Sequence, residues 1–123
     1  MKKILLISSL IPLLIIACGK KEEAPAPAAP AVVSGKDIFL GKGGCASCHG
    51  EMGLGNGPAG AALKPKPRNF TDAKWKNGDD LASAIKTITN GIPNTTMTSY
   101  KASLSEAEIK AVAEYVRELG KKK

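Results

Sequence analysis

The chain has 123 residues, of which 43% are hydrophobic and only 4% aromatic, and its formal net charge is +7. This length suits one small domain, and the positive charge favours an acidic docking partner or anionic groups on a bound molecule. Nucleic acid is a poor explanation of the charge, because the chain begins with a segment typical of exported proteins.

Residues 1–17, MKKILLISSLIPLLIIA, place two lysines before an apolar run, which is the pattern of an export signal peptide. A spanning helix needs about 20 apolar residues, so a membrane-spanning anchor is only the alternative. Residues 14–18 resemble the lipobox of bacterial lipoproteins. The resemblance implies that Cys18 is lipidated, the alternative being an ordinary signal peptide that contains a cysteine.

Residues 18–34 consist of Cys18 and a segment dominated by alanine and proline. Such a composition cannot bury enough apolar surface to fold, and its prolines favour an extended chain. We therefore expect a lipidated tether here and a folded domain over residues 35–123. That domain carries 14 Lys or Arg against 9 Asp or Glu.

Two short helices are predicted from their capping residues, and no convincing strand is found. Ser34 can cap a first helix. Asp79 or Asp80 can cap a second one over DLASAIKTITN, which Gly91 would close.

The last helix has the strongest signal. Ser105 and Glu108 have the spacing of a capping box, and apolar residues then recur at steps of three and four. These apolar positions are Ile109, Val112, Val116 and Leu119. The pattern predicts a helix over residues 105–119.

Two long stretches, residues 41–60 and 64–78, show no regular pattern. A small domain with so much irregular chain and so few aromatic residues has little core of its own. A large apolar cofactor would supply the missing core.

The segment GGCASCHG contains Cys45, Cys48 and His49, the last being the one histidine of the chain. A redox dithiol needs a preceding strand in an α/β pattern, and a structural zinc site needs a fourth ligand. C-x-x-C-H is the signal for attachment of c-type haem. We therefore predict one haem c, bound covalently through Cys45 and Cys48.

With these residues identified, residues 35–120 resemble a monohaem class I cytochrome c. The matching stretches are GKDIF (35–39), CASCHGEMGLGNGP (45–58), NGIPNTTMTSY (90–100) and AEYVREL (113–119). The resemblance implies a small all-α cytochrome c fold, with helices and long loops wrapped around one covalently bound haem. Residues 40–44 form a longer connection than the shortest family members have, which predicts an early end to the first helix.

The iron of such a protein has His49 as one axial ligand, and a methionine is the leading choice for the other. Met1 leaves with the signal peptide, and Met52 follows His49 too closely to reach around the ring. Met97 lies far along the chain, between the second and last helices. We predict His49 and Met97 as the metal ligands.

The resemblance supports Met97, because the family carries its ligand in this loop, usually before a proline and shortly before an aromatic residue. Thr98 replaces that proline and Tyr100 keeps the aromatic residue. The alternative is that Met97 fills space beneath Tyr100.

The glycines at positions 50, 53, 55 and 57 are expected to let the backbone approach the ring edge and adopt positive φ. By resemblance, the Pro58 carbonyl accepts the other ring N–H of His49. Arg68 and Trp75 are possible partners of the haem propionates, with surface and packing roles as the alternative.

By its resemblance the chain is a periplasmic, lipid-anchored, monomeric electron carrier, and it is not an enzyme. Its expected partners are redox proteins with an acidic docking surface. Lys64, Lys66, Lys74 and Lys76 form either a docking patch or a solvated face. The alternative function is an open-site haem protein that binds a gas or peroxide. No distal histidine or arginine is arranged for peroxide chemistry, which favours the electron carrier.

Overall fold

The computed structural model describes residues 32–122. The predictions for the signal peptide, for Cys18 and for most of the tether fall on residues outside this range. The helical elements are α1 (Gly35–Asp37), a π-helical turn (Ile38–Lys42), α2 (Ala46–His49), α3 (Leu81–Asn90) and α4 (Glu106–Lys121). Residues 32–122 contain no strand, as predicted. None of the helices in this range is long and apolar enough to cross a bilayer.

Helix α1 begins where the sequence predicts, because the Ser34 hydroxyl accepts a hydrogen bond from the Asp37 amide at 3.2 Å. It passes into the π-helical turn, in which the Gly43 amide donates to the Ile38 carbonyl at 2.7 Å. The wide turn buries Ile38 and Phe39. The longer connection before Cys45 is therefore accommodated by a change of helix type.

Helix α3 is capped at both ends by the predicted residues. Asp80 accepts from the Ser83 amide at 2.9 Å. Gly91 ends the helix with a φ of 71°, a conformation that favours glycine. This resolves the choice between Asp79 and Asp80 in favour of Asp80.

Helix α4 has the predicted capping box. The Ser105 hydroxyl accepts from the Glu108 amide at 3.3 Å, and the Glu108 carboxylate accepts from the Ser105 amide at 2.8 Å. The helix continues to Lys121, two residues beyond the predicted end.

The core lies along α4, which packs against α1, α3 and the π-helical turn. The predicted apolar face of α4 is buried, and Phe39 and Val112 are completely enclosed. The Phe39 ring makes T-shaped contacts with the rings of Phe70 and Tyr115, with centroid distances of 6.2 and 5.4 Å. Phe39 near the start of the domain and Tyr115 near its end thus pack in one core with Phe70, which lies in the chain between His49 and Leu81.

The chain between His49 and Leu81 forms turns and contains neither helix nor strand. This agrees with the irregular pattern of its sequence. The sequence did not predict the π-helical form of residues 38–42, nor the single turn of α2, which carries the C-x-x-C-H residues.

Candidate cofactor site

Helix α2 is held by the loop that follows it. Three loop amides donate to its carbonyls: Gly55 to His49 (2.7 Å), Gly57 to Cys48 (3.0 Å) and Ala59 to Ser47 (3.0 Å). The last carbonyls of a helix have no partner within the helix, so the loop satisfies them. The loop therefore fixes the turn on which Cys48 and His49 lie.

Glycines make this close approach possible. A Cβ atom at Gly57 would lie 2.6 Å from the Ala46 carbonyl oxygen, and one at Gly53 would lie 2.5 Å from the Phe70 ring. Positive φ is found at positions 50, 53 and 55, as predicted. The prediction is wrong for Gly57, whose φ is not positive. Glycine is required at this position because the α2 backbone leaves no room for a Cβ atom.

The imidazole of His49 is oriented by a backbone carbonyl. Its Nδ1 lies 3.0 Å from the Arg68 carbonyl oxygen. Since a carbonyl can only accept, Nδ1 carries the proton and the Nε2 lone pair stays available to a metal. Burial lowers the pKa of His49, an effect that the bond to Arg68 partly opposes, and this favours the neutral ring that ligation requires.

The prediction that the Pro58 carbonyl accepts the hydrogen bond from His49 is wrong. Pro58 is exposed, and the residues around it are hydrogen-bonded to the α2 backbone instead. The chain returns to His49 at Arg68, where Gly55 allows the backbone of residues 67–69 to come close. Such a long-range backbone contact leaves no signal in the sequence.

Phe70 is a further site residue that the sequence reasoning did not single out. Its ring stacks on His49 with a centroid distance of 4.7 Å and an interplanar angle of 16°. Its amide donates to the Gly53 carbonyl at 2.7 Å, which ties it to the glycine loop. As an apolar residue in a segment without periodicity, it carried no signal that distinguished it from ordinary core.

Arg68 and Trp75 both line a cavity that His49 also lines, but their polar groups already have partners. The Arg68 guanidinium lies 2.9 Å from the Asp72 carboxylate. The Trp75 indole N–H donates to the Phe70 carbonyl at 3.1 Å. Binding of haem propionates by these two side chains stays a prediction.

The two methionines of the described region lie in different environments. Met97 is half-buried, packs against the core and lines the cavity together with Tyr100. Met52 is 62% exposed and does not line the cavity. Of the two, only Met97 is placed where its thioether could reach a buried cofactor.

The cavity has a volume of about 190 Å³ and lies between the irregular region and the helices. Two thiols, an imidazole and a thioether open onto it, from Cys45, Cys48, His49 and Met97. Apolar walls are supplied mainly by Phe39, Phe70, Trp75, Ala84, Ile88, Ile92, Val112 and Val116. These are the groups that a covalently attached haem needs, so the residues fit this cofactor.

The cysteines are suited to thioether formation. Neither Cys45 nor Cys48 is in a disulfide. Within residues 32–122, no three His, Cys, Asp or Glu side chains are grouped so that they could hold a metal ion.

Comparison with known proteins agrees with this site. The family model described as cytochrome c matches residues 32–120. The chain belongs to the cytochrome c family. Members of this family carry a covalently attached c-type haem, and Cys45, Cys48 and His49 form the corresponding C-x-x-C-H motif. One covalently bound haem c is therefore the cofactor of this cytochrome.

Curated relatives include subunits of cbb3-type cytochrome c oxidases. The chain is 41% identical over 91 residues to the cbb3-type cytochrome c oxidase subunit FixP of Azorhizobium caulinodans, covering 74% of the chain and 28% of that protein. It is 38% identical over 90 residues to the subunit CcoP of Cereibacter sphaeroides, covering 73% and 29%. The cytochrome thus spans less than a third of the length of either relative.

Solved structures confirm the fold. A chain of the Kuenenia stuttgartiensis reducing HAO-like protein complex Kustc0457/Kustc0458 matches with a TM-score of 0.66 and 30% identity, over 78% of this chain and 47% of that one. The KustC0563 c-type cytochrome matches with a TM-score of 0.53 and 30% identity, over 71% and 98%. The all-α cytochrome c fold predicted from the sequence is confirmed.

Proposed function

We propose that this cytochrome is a single-electron carrier tethered to the periplasmic face of a bacterial membrane, with His49 and Met97 as the axial ligands of its haem. The observation that carries the proposal is the position of both side chains on one apolar cavity that also receives Cys45 and Cys48. Met52, the other methionine of the described region, lies on the surface.

Each side chain of the site has a distinct part in this function. The haem supplies one-electron chemistry between ferrous and ferric iron. His49 is held as a neutral ligand by the Arg68 carbonyl, and the apolar walls limit access of water. Methionine ligation and burial both raise the reduction potential. If His49 and Met97 both hold the iron, no position at the iron would be left for a substrate, and the protein would carry electrons without acting as an enzyme.

The tether proposal rests on the N-terminal sequence. After cleavage of residues 1–17, a lipidated Cys18 would hold the protein at the membrane, since two or more acyl chains make a stable anchor. The Ala- and Pro-rich segment up to residue 34 would reach roughly 50 Å at about 3.1 Å per residue. A monomeric domain could then move between partners near the bilayer.

The relatives suggest a class of partner. Because they are subunits of cbb3-type cytochrome c oxidases, we propose that the cytochrome exchanges electrons with a membrane-bound respiratory complex. Four exposed lysines could meet an acidic surface on that complex. They are Lys64, Lys66, Lys74 and Lys76, and none is in an ion pair with another residue of the range 32–122.

Covalent attachment is tested by denaturing the purified protein and extracting it with acidified organic solvent. The haem should stay with the chain in the wild type, held by two thioether bonds. A Cys45→Ala variant should retain one bond and shift the haem absorbance. Release of the haem from the wild type would refute attachment through these cysteines.

Anchoring is tested by a Cys18→Ser variant, with the haem protein followed between membrane and soluble fractions. The wild type should be found with the membrane and the variant in the periplasmic fraction with an unchanged haem content. A variant that stays in the membrane fraction, or a wild type that is already soluble, would refute the lipid anchor.

A further inference from the structure

The loop that carries Met97 is closed by a backbone hydrogen bond. Helix α3 ends at Gly91, and the Ile92 amide then donates to the Met97 carbonyl at 2.8 Å. Between these two residues the chain turns at Asn94, which has a φ of 60°. Residues 92–97 therefore form a compact loop with Met97 at its end.

One side chain ties both ends of this loop together. The Thr95 hydroxyl donates to the Ile92 carbonyl at 2.8 Å and accepts from the Met97 amide at 3.1 Å. Thr95 is half-buried and lines the same cavity as Met97. Its hydroxyl thus uses both its donor and its acceptor capacity on the main chain around the thioether.

The next residue does not restrain Met97 in the same way. Thr98 is exposed, and its side chain makes no hydrogen bond with another residue of the described range. It also lacks the ring with which a proline would limit the backbone of the residue before it. After Thr98, the chain is held to helix α3 by the Ser99 hydroxyl, which donates to the Thr89 carbonyl at 2.6 Å, and by the Tyr100 amide.

We propose that Thr95 is a positioning residue that holds the Met97 main chain so that its thioether stays directed at the cofactor. The inference rests on the proposed axial role of Met97. Loss of the Thr95 hydroxyl frees the Met97 amide and the Ile92 carbonyl together, leaving one backbone bond to close the loop. The thioether then leaves its bound position more often.

The test compares three variants of the full-length holoprotein. Thr95→Val removes the hydroxyl with little change of shape, Thr95→Ser restores it, and Thr98→Val makes the same substitution three residues along. We measure the rate at which carbon monoxide binds the ferrous protein and the hydrogen exchange of the Met97 amide. Both should rise by about tenfold or more in Thr95→Val, because two hydrogen bonds of the loop are lost together. Thr95→Ser and Thr98→Val should behave as the wild type.

Unchanged rates in Thr95→Val would overturn the inference, and so would equal effects of Thr95→Ser or Thr98→Val. A Met97→Ala reference separates this outcome from a failure of the proposed ligation. If Met97→Ala leaves the far-red absorbance band and carbon monoxide binding unchanged, Met97 is not a ligand and both proposals fall. If Met97→Ala abolishes the band while Thr95→Val has no effect, only the positioning role of Thr95 falls.

Discussion

The helices and the irregular region between His49 and Leu81 are stabilised in different ways. Helices α3 and α4 are capped by side chains three residues away in sequence, and each buries one apolar face. The irregular region has no such local support. Its amides bond to the carbonyls of α2, and its closest contacts depend on glycine. Local signals therefore specify where the helices begin and end, whereas the course of the loops depends on their contacts with α2.

The cavity lies where these two regions meet. Val112 and Val116 line it from α4, and His49 and Phe70 line it from the side of α2 and the loops. A group that fills the cavity contacts both regions and supplies core to each. Because the bound group adds core to both regions, a small domain with few aromatic residues can fold.

The largest expected effect comes from removing both attachment points. A Cys45→Ala, Cys48→Ala double variant should be mostly unfolded, because the cofactor that fills the cavity is no longer bound to the chain. Without the cofactor, the apolar walls of this cavity lose their packing partner, and lost packing of this kind is a large fraction of the stability of a small domain.

Circular dichroism and thermal unfolding would measure this loss, with Cys18→Ser as a cysteine variant that should keep its haem and its fold. If the double variant unfolds as cooperatively and at the same temperature as the wild type, the helices do not need the cofactor.

A smaller effect is expected from crowding the loop against α2. Gly57→Ala places a Cβ against the Ala46 and Ser47 carbonyls and should lower the free energy of unfolding by about 1–3 kcal/mol. Gly41→Ala is the matched control, since nothing lies within 4 Å of a Cβ at that position. Denaturant unfolding of the holoproteins gives both values. Equal stability of the two variants would show that the loop does not depend on its contact with α2.

The smallest effect concerns acid stability of the helical region. The hydrogen bond from Lys42, at 2.6 Å, and that from the Ser105 amide lower the pKa of Glu108 from 4.5 to about 2. A carboxyl whose pKa is lower in the folded protein stabilises it above the unfolded pKa, and this stabilisation is lost as the pH falls. The loss should therefore occur between pH 4.5 and 2.

Glu108→Gln should flatten the dependence of the unfolding temperature on pH in this window. Glu114→Gln is the control, because Glu114 pairs with Lys110 at 4.0 Å on the surface of the same helix and takes no part in the capping box. A pH profile that is equally steep in Glu108→Gln and the wild type would contradict the assigned role of the Lys42 contact.

The sequence predicted the helices well because their signals are local. Ser34, Asp80 and Ser105 cap helices through residues three positions away. The partner of His49 could not be predicted, since Arg68 reaches it through a fold of the backbone that any residue type could adopt. The π-helical turn was likewise hidden, because the helical segment over residues 35–42 is too short for its apolar residues to show which helical period they follow.

The residues that carry the chemistry of the site could be predicted from the sequence, whereas the hydrogen bonds that hold them in place could not. The C-x-x-C-H motif identified the attachment residues, and the distance along the chain separated Met97 from Met52. The two hydrogen bonds of the Thr95 hydroxyl could not be predicted, because a threonine in a polar loop gives no indication of which carbonyl it will reach.

The most direct test of the account is the far-red absorbance band that methionine sulfur gives when bound to ferric low-spin haem. The wild type should show this band and bind carbon monoxide slowly. Met97→Ala should lose the band, bind carbon monoxide readily in the ferrous form and have a lower reduction potential, whereas Met52→Ala should match the wild type. A wild type that lacks the band and binds carbon monoxide rapidly, unaffected by Met97→Ala, would contradict the account and indicate an open-site haem protein.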